Sequence, residues 1–182
     1  YTETHRDGSN AFIYSRFLVP HLQDFKGWAI FADGDMILRD DIAQLWKMRD
    51  ERYAVMVAKH IYKTKAKRKY LGSSMETINP DYDRKNWSSL ILWNCEHPFN
   101  RLLTPEYVMD GTGRNLHRFA HLSDDDIGTL PLEWNWLVGE YGPNEDAKLV
   151  HFTLGIPAIA AYEKCDYSRE WFEHFYKVSG CE

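Results

Sequence analysis

Gly27-Trp28-Ala29-Ile30-Phe31-Ala32-Asp33-Gly34-Asp35 sets a short apolar run between a glycine and a pair of acids. A run of this length with no polar residue reads as a strand buried on both faces, the form that strands take in a parallel sheet covered by helices. The two acids then stand at the strand's carboxyl end, where open α/β sheets gather their ligands. Residues i and i+2 at a fraying strand end can turn toward one cation, and the reading gives Gly34 the task of relaxing the backbone between them.

Working outward, the residues on either side alternate between helical spacing and apolar runs. Upstream, Phe12, Ile13, Phe17, Leu18 and Leu22 recur at helical spacing behind the cap candidate Ser9-Asn10, with Arg16 among them, and the helix is expected to end near Pro20 or the following turn. Downstream, Ile42, Leu45 and Trp46 follow Asp40 or Asp41 as a short capped helix, and Tyr53 to Ala58 reads as a second buried strand. Ser89-Leu-Ile-Leu-Trp93 is a third, closed by Asn94, and Lys148 to Thr153 is a strand-like run ending at Gly155. Residues 104 to 122 are expected to be partly helical, with Gly111 to Gly113 as the break, and 167 to 176 to form an aromatic-rich helix. The acidic cluster of Leu122 to Gly128 is expected to open a short amphipathic piece. This alternation predicts an α/β sheet within a single domain spanning 1–182.

Composition narrows the class. The 182 residues are 44% apolar and 15% aromatic, enough to build a core. Mean hydropathy is −0.54, and no apolar stretch approaches the roughly 20 residues a membrane-crossing helix needs, which limits expected contact with a bilayer to peripheral attachment. The chain opens on polar residues rather than a basic and then apolar segment, so no signal peptide is expected. Cys95, Cys165 and Cys181 are odd in number and lack C-x-x-C spacing, pointing away from a disulfide framework or thiolate zinc site and toward a reducing, cytoplasmic setting. A net charge of −5 argues against nucleic acid as a partner. It conceals a basic arm: residues 52 to 75 carry Arg52, Lys59, Lys63, Lys65, Lys67, Arg68 and Lys69 with no acid, leaving the remainder at −12, from 15 basic against 27 acidic residues. The arm reads either as a solvated loop or as a cover for phosphates or an anionic acceptor.

Three groups of residues have the types that chemistry needs. Asp33 and Asp35, with His151 on its own apolar run, make a mixed oxygen and nitrogen set that suits Mn²⁺ or Mg²⁺ with positions left open for phosphate oxygens. Asp124-Asp125-Asp126 is either a helix start favoured by the macrodipole or a cluster able to hydrogen-bond sugar hydroxyls and stabilise an oxocarbenium-like centre. Trp87, Trp93, Trp134 and Trp136 are read mostly as core, with one or two available to stack on a sugar.

In chain order, Arg16, Ala29-Ile-Phe-Ala-Asp-Gly-Asp-Met-Ile-Leu38, Asp41-Ile-Ala-Gln-Leu45, Ser88-Ser-Leu-Ile-Leu-Trp-Asn94, Asp124-Asp-Asp-Ile127 and His151-Phe-Thr-Leu-Gly155 resemble the GT-A nucleotide-sugar glycosyltransferases related to family 8. The resemblance covers nearly the whole chain. It implies a Rossmann-like GT-A core, with a mixed, mostly parallel sheet flanked by helices and reduced at the N-terminus, where the family opens on a nucleoside-binding unit. It also implies a UDP-sugar donor, a glycan or other hydroxyl acceptor, Mn²⁺ (or Mg²⁺) held by Asp33, Asp35 and His151, and transfer with retention of configuration. By the same resemblance Arg16, Asp33, Ser88, Ser89 and Asp124 would bind the donor, and Asp124 and Asp125 would face the reacting sugar. Two other readings compete. A haloacid-dehalogenase-type phosphatase also places Asp-x-Asp after an apolar strand, but Met36 and Ile37 stand where that pattern has Gly and then Thr or Val. An inactive or truncated nucleotide-sugar-binding scaffold is the other.

Overall fold

The computed structural model describes residues 13–180; the expected cap at Ser9-Asn10, Phe12 and Cys181 lie outside them. The described strands are β1 (Trp28–Ala32), β2 (Met36–Leu38), β3 (Val55–Ala58), β4 (Arg68–Lys69), β5 (Thr77–Ile78), β6 (Leu90–Asn94), β7 (Ile127–Leu130), β8 (Trp136–Leu137) and β9 (Leu149–His151). The described α-helices are α1 (Val19–Leu22), α2 (Ile42–Trp46), α3 (Pro105–Asp110), α4 (Gly113–His117) and α5 (Ser168–Ser179). They sort into two compact units, each assembled from three stretches of chain: residues up to 32, 41–61 and 82–131 in the first, and 33–40, 62–81 and 132–182 in the second.

The first unit holds a four-stranded mixed sheet in the order β1-β6-β3-β7. β6 runs antiparallel to both β1 and β3, and β3 runs parallel to β7, so β1, β3 and β7 share one direction and β6 opposes them. This is the mixed sheet with mostly co-oriented strands that the sequence led us to expect. Burial follows position in the sheet: every residue of β3 and β6 is buried, as all-apolar central strands require. β1 departs from the expectation of two buried faces. Among the described residues its partner is β6 alone, and as an edge strand it is half-exposed along its length. Phe17, Trp93 and Phe119 pack edge to face at centroid separations of 6.0 to 6.4 Å in the core below the sheet.

Short helices in this unit start where hydroxyl or carboxylate side chains satisfy free amides. Asp41 accepts from the Ala43 amide (2.9 Å) at α2, Thr104 from Tyr107 (3.2 Å) at α3, and Thr112 from Asn115 (3.2 Å) at α4. Arg16 lies in a 3₁₀ turn, Ser15–Leu18, that runs into α1. Pro20 sits in the first turn of α1, where a proline gives up an amide that has no partner anyway, and the helix ends at Leu22, at the turn that follows, the second of the two expected stops. Asp124–Asp126 is a 3₁₀ turn closed by a Ser123/Asp126 capping box, and the short piece it opens is the strand β7.

The second unit has a sheet in the order β2-β9-β8 and a two-stranded ribbon, β4-β5. Its core gathers Ile37, Val138, Ala147, Val150 and Phe152, with Trp136 and Trp171 against them. Arg39 ties its 33–40 stretch in place, donating to the Ala147 carbonyl (2.7 Å), pairing with Glu170 (3.1 Å) and lying over the Tyr167 ring. No helix among the described residues is long and apolar enough to cross a membrane.

Candidate metal centre

Asp33, Asp35 and His151 all belong to the second unit, and the register of its sheet brings them together. Leaving β1, the chain turns through Asp33-Gly34-Asp35 and pairs as β2 with β9, antiparallel, with Met36 opposite His151. The Phe152 amide donates to the Asp35 carbonyl (2.9 Å), which extends the ladder by one bond and fixes the turn against the histidine strand. One ligand atom from each of the three side chains lies within 4.8 Å of the others.

His151 is buried and its ring is oriented. Its Nδ1 donates to the Asn135 side-chain oxygen (3.0 Å), and its Nε2 faces Asp35 Oδ1 at 3.4 Å, to which it donates when the ring is protonated. Burial opposes the charge on Asp35. The field of the imidazole beside it, the hydrogen bond between them, its own backbone amide and the Lys69 ammonium outweigh that cost and hold the carboxyl below the ordinary carboxylate value. Two carboxylates and an oriented imidazole nitrogen, facing one point, are a donor set that fits Mn²⁺ or Mg²⁺.

Gly34 does not play the part expected of it. Its φ is not positive, and a Cβ built there meets nothing within 4 Å, so the turn does not depend on glycine's conformational freedom. Asn135 escaped the sequence reading altogether. It lies 16 residues before His151 and reaches it only because β8, which starts at Trp136, pairs parallel with β9; an asparagine flanked by Trp134 and Trp136 was the one available signal.

The remaining expected residues belong to the first unit. Arg16 is buried, with Nε donating to the Ile13 carbonyl (2.9 Å), NH1 to the Ser88 carbonyl (2.7 Å), and its guanidinium over the Phe31 ring. Ser88 Oγ is 2.6 Å from His117 Nδ1, and Ser89 Oγ donates to the Asn86 carbonyl. Ser89 precedes Leu90, the register partner of Ala32, so the serines and Arg16 gather at the carboxyl end of β1. Asp124 and Asp125 do not. Ile127 is level with Val55, Val55 with Trp93, and Trp93 with Ala29, so the acidic turn sits before the amino ends of the co-oriented strands. The Ala54 amide bonds the Asp126 carbonyl there (2.9 Å), and the exposed Asp124 is paired with Arg84 (2.6 Å).

The basic arm is built onto the second unit. The Lys65 amide donates to Glu140 (2.8 Å), a carboxylate that is only 3% exposed, and Asn79 bonds the Ala66 and Lys67 carbonyls across the ribbon. Its tip is fastened to the turn that follows His151: the Tyr70 amide donates to the Leu154 carbonyl (2.7 Å) and the Leu71 amide to the Tyr162 hydroxyl (3.1 Å). Gly155 makes this possible, since its φ is +151° and the Tyr162 ring occupies the space that a side chain would need.

No family model matches the chain. Protein CDI of Arabidopsis thaliana is 43% identical over 168 residues, which cover 90% of this chain and 63% of that protein, so the chain spans less than two thirds of this curated relative. Three solved glycosyltransferase structures share its fold. A bifunctional glycosyltransferase, WbbM, matches with a TM-score of 0.54 at 16% identity over 92% of this chain and 36% of its own. Mouse xyloside xylosyltransferase 1 matches at 0.50 and 13%, over 81% and 66%. An active-site mutant of LgtC matches at 0.57 and 11%, over 93% and 68%. The chain therefore has the mixed α/β fold of these glycosyltransferases.

Proposed function

We propose that the chain carries the core of a metal-dependent glycosyltransferase, which moves a sugar from a nucleotide-sugar donor, a UDP-sugar, to an acceptor hydroxyl with retention of configuration. The observation that carries this reading is the convergence of Asp33, Asp35 and His151 where the chain leaves β1; the fold shared with glycosyltransferases supports it. When bound, Mn²⁺ or Mg²⁺ would supply Lewis-acid neutralisation of the charge that develops on a departing diphosphate. The chain's own part is to present Asp33, Asp35 and the oriented Nε2 of His151, and to keep the imidazole away from water. The donor-binding roles of Arg16, Ser88, Ser89 and Asp124, and the place of Asp124 and Asp125 at the reacting sugar, belong to the same proposal.

A thermal-shift screen of UDP, GDP and their sugar conjugates, with and without Mn²⁺, tests the reading, because a ligand that binds only the folded state raises its melting temperature. At a hundred times Kd the stabilisation is about 2.7 kcal/mol. We expect a metal-dependent rise with a UDP-sugar, lost in Asp33→Asn and His151→Ala. Absence of any rise would favour a scaffold that has lost donor binding.

A further inference from the structure

The basic arm turns most of its charge outward. From Tyr62 to Lys67 burial alternates residue by residue, as it does in an extended chain whose successive side chains point to opposite sides. Tyr62 meets the Tyr141 ring edge to face at 5.9 Å, the Thr64 amide donates to Asp81 (2.8 Å), and the Ala66 carbonyl accepts from Asn79 (2.9 Å), so these residues fasten the arm to its own unit. Lys63, Lys65 and Lys67 are the residues between and after them. All three are exposed, and no carboxylate among the described residues pairs with their ammonium groups. Residues 62–79 hold five basic residues and one acid, Glu76, so they carry +4 and leave −9 to the rest of a chain whose net charge is −5. Arg68 is already paired with Glu76 (2.6 Å), which makes the three lysines the arm's free charge.

The ribbon that follows adds bare apolar groups to the same arm. Arg68 in β4 and Ile78 in β5 are register partners, so their side chains share one face of the ribbon, and Ile78 is 66% exposed. Met75, in the connection between the two strands, is 51% exposed. Left in water these side chains contribute little to the fold, and covering them would remove apolar area from water. Unpaired cations and bare aliphatic groups on one arm match a surface that is anionic outside and apolar beneath. We propose that residues 62–79 dock the protein on an anionic lipid bilayer: Lys63, Lys65 and Lys67 lie among the headgroups, and Met75 and Ile78 enter the boundary between headgroups and acyl chains. A soluble polyanion would answer the charge but leave Met75 and Ile78 in water, so the bilayer is the occupant that both observations favour. The inference is independent of the metal reading, since none of these side chains belongs to the Asp33, Asp35 and His151 group.

The test is co-sedimentation with vesicles of phosphatidylcholine alone and of phosphatidylcholine with about 30% phosphatidylserine. Wild type is expected to bind the anionic vesicles and not the neutral ones, and to lose most of that binding as salt rises from about 0.1 to about 0.5 M. The triple variant Lys63→Gln, Lys65→Gln, Lys67→Gln should bind at least about thirtyfold more weakly, since each basic residue near an anionic surface is worth a factor of about five. Ile78→Thr, which keeps the β-branch of the strand, should weaken binding about three- to tenfold. Neutralising Lys26, Lys47 and Lys164, three exposed lysines outside the arm, should change it by less than about threefold. All variants are expected to keep the wild-type melting temperature, because the substituted side chains are exposed. Wild type binding anionic vesicles no better than neutral ones overturns the proposal, as does an equal loss in the two triple variants. If free polyglutamate binds wild type as tightly as the vesicles do and Ile78→Thr leaves vesicle binding unchanged, the arm serves a soluble acidic partner and the bilayer is excluded.

Discussion

Asn135 settles which nitrogen His151 offers. With the Asn135 oxygen accepting from Nδ1, the ring cannot turn or change tautomer without leaving a buried polar atom unpaired. On the proposed metal reading, Asn135→Leu should lower Mn²⁺ affinity about 10- to 100-fold, the usual effect of losing a partner behind a metal-binding histidine. The same substitution should cost roughly 1 to 3 kcal/mol of stability in a denaturant titration. An unchanged Mn²⁺ affinity would mean that the ring is held by packing alone. At this scale the acids were legible because Asp33 and Asp35 are two residues apart and follow an apolar run. Asn135 was not, because its partner is chosen by strand pairing across 16 residues.

Elements were legible in kind and less so in direction. The apolar runs at Trp28, Val55 and Leu90 became strands, and Asp41 caps α2 as its position suggested. Sequence alone does not say that β6 enters the sheet antiparallel or that β7 joins it level with Ala29, and that pairing sets the Asp124–Asp126 turn ahead of the amino ends of the co-oriented strands. Glycine's two uses in these elements differ as well. At Gly128 in β7 a Cβ would come within 2.6 Å of the Tyr53 ring and 2.8 Å of Met56, so the strand lies where it does because that residue has no side chain. Gly128→Ala should destabilise the protein by about 1 to 3 kcal/mol, the range for overpacking a close contact. Gly34→Ala should stay within about 1 kcal/mol of wild type, since the space there is open and φ is ordinary. Chemical denaturation of both variants checks the pair; equal losses would show that the turn at Gly34 is tighter than its geometry indicates.

For the molecule as a whole, the strength of the core was readable from composition, but its division was not. Each unit has its own apolar cluster, and the chain passes between the two units five times, so no composition shift or linker marks a boundary. Stability of the whole should depend on pH through His121. It is mostly buried beside the Tyr107 ring, with its Nε2 unpaired. Burial pushes the imidazole down from 6.5 to about 4, against a weaker upward pull from Asp126. Above 6.5 both folded and unfolded chains hold it neutral. Below 6.5 the unfolded chain takes up a proton that the folded protein refuses, so stability is lost as pH falls toward 4, by roughly 3 kcal/mol. Urea titrations between pH 7 and 4 should show that decline, and His121→Gln should flatten this share of it. A profile unchanged by the substitution would place the acid sensitivity elsewhere.

The stretch from Asp33 to Asp40 is an excursion of eight residues, leaving the first unit at Ala32 and rejoining it at Asp41, the cap of α2. Both ends of the stretch that carries Asp33 and Asp35 are therefore on a short leash: unravelling β1 or α2 frees one end of the loop and spreads the two carboxylates over a far larger volume. On the proposed metal reading, capture of an ion there would gauge the integrity of the main sheet, and its release on heating would announce the melting of β1 or α2.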